Sequence, residues 1–142
     1  MPTAPKHSVS VAGIVVDDAG RVLVVRRRDN GAWEAPGGVL ELAETPEEGV
    51  AREISEETGM AVEVRELTGV YKNLSRGIVA LVFRCRPVGS EVHPTDEASE
   101  VRWMTRDEVR AAMVPAFAIR VLDAFDDHPH VRTHDGVNLL SA

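Results

Sequence analysis

Apolar residues recur along the chain in two rhythms, and these divide it into strand-like and helix-like stretches. "SVSVAGIVVDDAGRVLVVRRRD" reads as two strands joined at Asp17-Asp18-Ala19-Gly20 by a hairpin-type turn. In the second strand Val22 and Val24 alternate with Leu23 and Val25, so both of its faces are expected to be covered. "NGAWEAPGG" is punctuated by glycine and proline and reads as a loop. Thr45-Pro46-Glu47-Glu48 then starts a helix: Thr45 caps, Pro46 fits the first helical position, and Glu48 completes a capping box. Val50, Ala51 and Ile54 form its apolar side at helical spacing. Gly59 predicts its stop after Thr58.

"AVEVRELTGVYKN" and "GIVALVFRCRPV" predict two more strands with "LSRG" between them. The acidic "GSEVHPTDEASE" reads as a loop and "VRWM" as a short strand. Thr105-Arg106-Asp107-Glu108 is a second capping box, opening a helix near Val109. Pro115 interrupts that helix, and "AFAIRVLDAF" predicts another helical stretch. The tail "DDHPHVRTHDGVNLLSA" carries turn chemistry and a final apolar pair. The order β-β-α-β-β-β-α, without repeats or a linker, predicts an α+β domain or layered sandwich: a mixed sheet with helices packed on it.

Length and composition fit a single domain: 142 residues, 44% of them apolar. No apolar run approaches the roughly 20 residues of a membrane span, and "MPTAPKHSVSVAG" lacks the apolar centre of a secretory signal. Cytoplasm is the expected location, with no membrane partner. One cysteine, Cys85, leaves no internal disulfide, and its place in "IVALVFRC" predicts a buried, inert thiol. The net charge of −7 argues against nucleic acid as a partner, since phosphate binding needs a basic face. Nearly all of that imbalance is local. Residues 41 to 57 carry seven glutamates against Arg52.

On a helical wheel Glu53, Glu56 and Glu57 stand at relative angles of about 0°, 300° and 40°, on one narrow face, while Val50 and Ile54 point elsewhere. Two carboxylates ~4 Å apart repel by about 1 kcal/mol in water and by about 4 kcal/mol at an effective dielectric near 20. With only Arg52 beside them, this face makes sense either as a solvated acidic surface with charge pairs or as a cation site. Hard divalent cations take oxygen ligands, and Mg²⁺ binds one or two carboxylates plus substrate phosphates. Pro36-Gly37-Gly38, just upstream, lets the backbone approach a ligand closely and offers a carbonyl as a further donor.

These residues resemble the Nudix box, G-x5-E-x7-R-E-U-x-E-E-x-G-U with U a large apolar residue. Gly38, Glu44, Arg52-Glu53, Ile54, Glu56-Glu57, Gly59 and Met60 match every fixed position over residues 38–60. The resemblance extends over roughly residues 8–125, with residues 126–142 as a C-terminal tail of one Nudix hydrolase domain spanning 1–142. It implies an α/β/α sandwich around a mixed central sheet, and hydrolysis of the diphosphate linkage of a nucleoside diphosphate joined to a group X. Carried over by position, Glu53, Glu56 and Glu57 match the metal-binding face, the Gly38 carbonyl a further ligand, and Arg52 a residue that orients the glutamates. Glu44 matches a more structural acid. Glu97, six residues before Trp103, matches an additional ligand supplied by a later loop. Glu100 is its alternative, and a solvated loop acid is the plain reading of Glu97. The implied cofactor is Mg²⁺, with Mn²⁺ as a substitute. The general base is Glu53, with Glu97 as competitor.

The substrate side is thinner. Arg27 resembles a phosphate-contacting arginine of the nucleoside triphosphate hydrolases, against the alternative of a solvent-facing basic strand end. Gly37 belongs to the same approach surface. Trp33 and Tyr71 are candidates for stacking on a base or for packing. Marks of subfamilies are missing: Ser75-Arg76 stands where ADP-ribose hydrolases carry proline, Gly77-Ile78 where dinucleoside polyphosphate hydrolases carry tyrosine. "MVPAFAIR" lacks the asparagine of the enzymes that clean oxidised guanine nucleotides. His128, His130 and His134 read either as a second metal site or as incidental residues of a polar tail. The expected substrate is a small nucleotide-type molecule, first a (d)NTP and next ADP-ribose or a nucleotide sugar, handled by a monomer or homodimer. The rivals are a non-catalytic ligand-binding module and a diphosphate isomerase on the same fold.

Overall fold

Alternation along two strands builds two cores at once. In β1 (Ser8–Val15), Val11 and Val15 face one apolar cluster while Ala12 and Ile14 face another. β2 (Val22–Arg27) repeats the division, with Leu23 on the first side and Val22 and Val24 on the second. Side chains of period two therefore serve a layer on each side of the strands. The computed structural model describes residues 3–89, 92–93 and 95–140.

β3 (Trp33–Glu34) and β4 (Gly37–Val39) follow, then α1 (Pro46–Thr58), β5 (Val62–Asn73), β6 (Ile78–Pro87), β7 (Ala98–Met104), α2 (Arg106–Ala112), α3 (Pro115–Asp123), β8 (His130–His134) and β9 (Leu139–Leu140). Six strands form a mixed sheet in the order β4-β1-β6-β5-β8-β9, in which β1 runs parallel to β6 and β5 parallel to β8. β3-β2-β7 form a second, antiparallel sheet. Val50 and Ile54 of α1 pack into the core that holds Val11, Leu23, Phe83 and Cys85. Val109 of α2 and Ala118 and Val121 of α3 pack into the other core, with Ile14, Val24 and Tyr71. A mixed sheet thus lies between helical layers, as expected. No helix among the described residues is long and apolar enough to cross a membrane.

Local chemistry sets the ends of α1 where the pattern placed them. The Thr45 side chain accepts the Glu48 amide at 3.2 Å, Glu48 accepts the Thr45 amide at 2.8 Å, and Gly59 closes the helix at φ 75°. Thr105 and Glu108 repeat the device at α2. Cys85 is buried, and burial pushes its thiol up to about 12.

Three expectations need correction. The turn at Asp17–Gly20 forms, but Val16 and Val22 make only an isolated bridge, and β1 and β2 diverge into different sheets instead of pairing as a hairpin. "NGAWEAPGG" is not simply a loop: Trp33-Glu34 pairs with β2, and Gly37–Val39 pairs with β1. The tail is not a polar appendage. Residues 130–134 add a strand beside β5, and His134 is fully buried there.

Candidate active site

α1 and the loop entering β7 bring three carboxylates together on the wall of a cleft of about 1050 Å³. Glu53, Glu57 and Glu97 each place a carboxylate oxygen so that all three lie within 4.8 Å of one another. Glu53 and Glu57 are four residues apart on α1 and buried, whereas Glu97 is exposed. Thr95 docks the loop: its hydroxyl donates to the Glu57 carbonyl at 3.3 Å and accepts the Glu97 amide at 3.3 Å. Arg28 holds the same turn by donating to the Thr95 carbonyl at 3.0 Å.

Arg52 fixes the other side of the acidic face. Its Nη1 donates to Glu53 at 2.8 Å and to Glu56 at 3.2 Å, an i,i+4 pair on the helix. Its Nε and Nη2 grip Glu44 at 2.9 and 2.6 Å. The guanidinium bond to Glu44 holds that carboxyl down at about 2 and raises Arg52 further above its ordinary value. Glu56 is exposed and stands outside the 4.8 Å trio. Arg52 is thus the cation that the face itself supplies, and it is turned to Glu44, Glu53 and Glu56.

Among the described residues Glu57 has no ion pair of this kind. It accepts the Gly37 amide at 3.2 Å, and burial, with Glu53 beside it, pushes its carboxyl up to about 8. Gly38 leaves room at this point, because a Cβ there would sit 2.6 Å from the Glu53 carboxylate. Gly37 is pressed against the Val11 carbonyl oxygen and the Ala12 side chain. An all-oxygen donor set, clustered against its own repulsion and left open by a glycine, suits a hard divalent cation. Glu53, Glu57 and Glu97 are the residues that could hold one.

The remaining candidates divide. Arg27 lines the cleft, but it donates to Asp29 at 2.9 and 2.6 Å and stands 3.6 Å from Glu34. Trp33 lines the cleft while packing on the core, with the Arg102 guanidinium 4.9 Å from its ring centre. Tyr71 is fully buried and donates to Asp123 at 2.7 Å, so it packs and is not open to a base. Glu100 pairs with Arg102 at 2.6 Å and stands outside the trio. Of the histidines, His130 meets Asp126 at 2.7 Å beside Asp123, and their ligand atoms also lie within 4.8 Å. Arg132 already neutralises Asp123 there through bonds of 2.7 and 2.8 Å.

Sequence reasoning missed Thr95, Glu34 and Arg120. Glu34 lies half-buried in the cleft, and burial raises its carboxyl. Arg120 lies three residues after Phe117 and four after Ala116, so a cation on the apolar stripe of α3 was the available signal.

A profile of the NUDIX domain matches residues 6–125. A MutT-like protein of Streptomyces ambofaciens is 63% identical over 139 residues, covering 97% of this chain and 90% of that one. A protein of Methanocaldococcus jannaschii named ADP-ribose pyrophosphatase is 37% identical over 103 residues, covering 68% of this chain and 60% of its own. The crystal structure of a NUDIX hydrolase from Nitrosomonas europaea superposes with a TM-score of 0.79 at 25% identity, over 93% of this chain and 82% of that one. With the family profile spanning most of its length, the chain belongs to the Nudix hydrolase family.

Proposed function

We propose that the chain hydrolyses the diphosphate linkage of a nucleoside diphosphate-X compound, with Mg²⁺ as its cofactor and a (d)NTP as first substrate. The observation that carries this reading is the convergence of Glu53, Glu57 and Glu97 within 4.8 Å on the wall of a large cleft. A divalent cation held there supplies neutralising charge to the diphosphate oxygens and makes water a better nucleophile. Mn²⁺ serves in its place.

The protein's own groups have separate tasks. Arg52 keeps Glu53 and Glu56 in register by donating to both. The Gly37-Gly38 backbone closes the site from the other side, with the Gly38 carbonyl as a further oxygen donor. Arg27, at the cleft wall, is released from Asp29 to meet a phosphate oxygen, for which a planar fork is suited. Glu53 takes the proton of the attacking water. A second reading assigns that step to Glu97, which is exposed and whose carboxylate accepts no hydrogen bond among the described residues, whereas Glu53 is bound by Arg52.

The relative named ADP-ribose pyrophosphatase supports ADP-ribose, and by extension a nucleotide sugar, as the alternative substrate. Incubation with Mg²⁺ and a panel of dNTPs, ADP-ribose, nucleotide sugars and dinucleotides, with products separated by chromatography, tests the reading. Cleavage of a diphosphate bond that Glu57→Gln removes is the expected result. No cleavage of any compound favours a ligand-binding module instead.

A further inference from the structure

The cleft wall also carries a cation, Arg120, that has no carboxylate or carbonyl acceptor among the described residues. Its guanidinium lies 4.6 Å from the Phe117 ring centre and 5.1 Å from that of Tyr71. Its Nε is buried without a hydrogen-bond partner. Its Nη2 lies 3.2 Å from Nε2 of His134. The other ring nitrogen of His134, Nδ1, already accepts the Gly136 amide at 2.9 Å, so a neutral imidazole carries its proton on Nε2 and offers Arg120 no lone pair. Burial, reinforced by Arg120, keeps His134 on the neutral side. Among the described residues Arg120 makes no ion pair, although Glu34 lines the same part of the cleft and the two charges act on one another. A largely buried cation without a partner is costly to the fold, and such groups cluster where a ligand completes them.

The same cleft has walls that suit a flat, apolar-faced group: Trp33, Ala35, Val137 and Phe117, the last packed on Arg120. Glu34, a carboxylate that acts on Arg120, makes an anion beside it unfavourable and gives a place for a ligand N–H. Arginine has donors only. A base that turns a carbonyl oxygen toward Arg120 and an N–H toward Glu34 satisfies both, whereas adenine places an amino group where guanine has its O6.

We propose that Arg120 is the specificity residue for the base of the substrate, and that with Glu34 it selects 6-oxopurines over adenine. This rests on the reading of the chain as a hydrolase of nucleoside diphosphate derivatives and names the nucleoside it prefers. Arg120 donates to O6, Glu34 accepts from N1–H and from the 2-amino group where there is one, and the base lies in the aromatic part of the cleft.

The test is binding, measured by calorimetry with Mg²⁺ present, of dGMP, dIMP and dAMP to the wild-type protein and to Arg120→Met. Wild type is expected to bind dGMP and dIMP about tenfold or more tighter than dAMP, since dIMP keeps O6 and N1–H. Arg120→Met should abolish that ratio, leave dAMP affinity within about threefold, and unfold at a midpoint equal to or above wild type, because an unpaired buried cation has gone. Should Arg120→Met not fold, the wild-type comparison decides, with dIMP grouping with dAMP as the contrary result. A ratio unchanged in Arg120→Met, or no preference among the three bases in wild type, overturns the proposal. Hydrolysis does not enter this readout: failure to cleave any dNTP refutes the proposed reaction, while the base preference is scored separately.

Discussion

Arg52 grips Glu44 through two parallel bonds, Nε to Oε2 at 2.9 Å and Nη2 to Oε1 at 2.6 Å, and turns Nη1 to Glu53 at 2.8 Å. Glu44 therefore anchors the arginine so that the arginine can aim the Glu53 carboxylate of the acidic face. Groups that orient ligands in this way typically contribute about 10–100-fold in metal affinity or activity. Arg52→Gln is expected to lower kcat and Mn²⁺ affinity by that order while leaving the circular dichroism spectrum unchanged. Unaltered kcat would remove Arg52 from the account.

Thr95 is the clasp between the two parts of the acidic site. Its hydroxyl joins the Glu57 carbonyl to the Glu97 amide, while Arg28 and the His93 amide tie the same loop by its backbone, so Thr95 is the side chain that links Glu97 to α1. Thr95→Val keeps the shape and removes both bonds. The expected outcome is a drop in kcat of about tenfold with KM little changed, because the substrate contacts stay in place while one carboxylate loses its position. Equal steady-state kinetics for the variant would show that Glu97 needs no such support.

Gly38 makes a steric prediction. Its added methyl would lie 2.6 Å from the Glu53 carboxylate, so Gly38→Ala must push that side chain off its position. Because Gly38 does not sit at positive φ, space alone decides. Calorimetric titration should show Mn²⁺ affinity reduced by about tenfold or more, with a thermal midpoint within a few degrees of wild type.

Legibility followed the range of the interactions. The Thr45–Glu48 box, Pro46 and Gly59 are contacts within a few residues of one another, and they placed α1 and its acidic face from the sequence alone. Glu53 and Glu57 came with it. β8 was not legible, because its strand character depends on pairing Val131 and Arg132 with Val70 and Tyr71, some 60 residues earlier. His134 looked like one of several tail histidines until that pairing buried it. Tyr71 likewise read as a stacking candidate until Asp123, on α3, was found accepting its hydroxyl. Glu34 lay in a segment punctuated by glycine and proline, whose two short strands form only against β2 and β1. Glu97 was named by spacing to Trp103, but its approach to α1 depends on Thr95, which no local pattern marks.

Glu57 gives the site a pH dependence in the metal-free protein. Its carboxyl is raised to about 8, mainly by burial, whereas in the unfolded chain it titrates in the ordinary carboxylate range. The folded state thus holds a proton that the unfolded state releases. The associated stability is complete below about pH 4 and declines as pH rises through about 8, at up to about 1.4 kcal/mol for each unit within that window. In EDTA, urea midpoints measured from pH 5 to 8.5 should fall for wild type and fall less for Glu57→Gln. Excess Mg²⁺ should restore the wild type most at the alkaline end, where the carboxylate is ionised. An identical pH slope in wild type and Glu57→Gln would place the proton elsewhere.

Equilibrium titration of Mn²⁺, followed by electron paramagnetic resonance, measures most directly whether the acidic side of α1 exists to hold divalent cations. The account predicts saturable binding to the wild-type protein, weakened about tenfold or more by each of Glu53→Gln, Glu57→Gln and Glu97→Gln, and little affected by Glu100→Gln, which lies outside the trio. Binding that is absent in the wild type, or that survives all three substitutions unchanged, would contradict it.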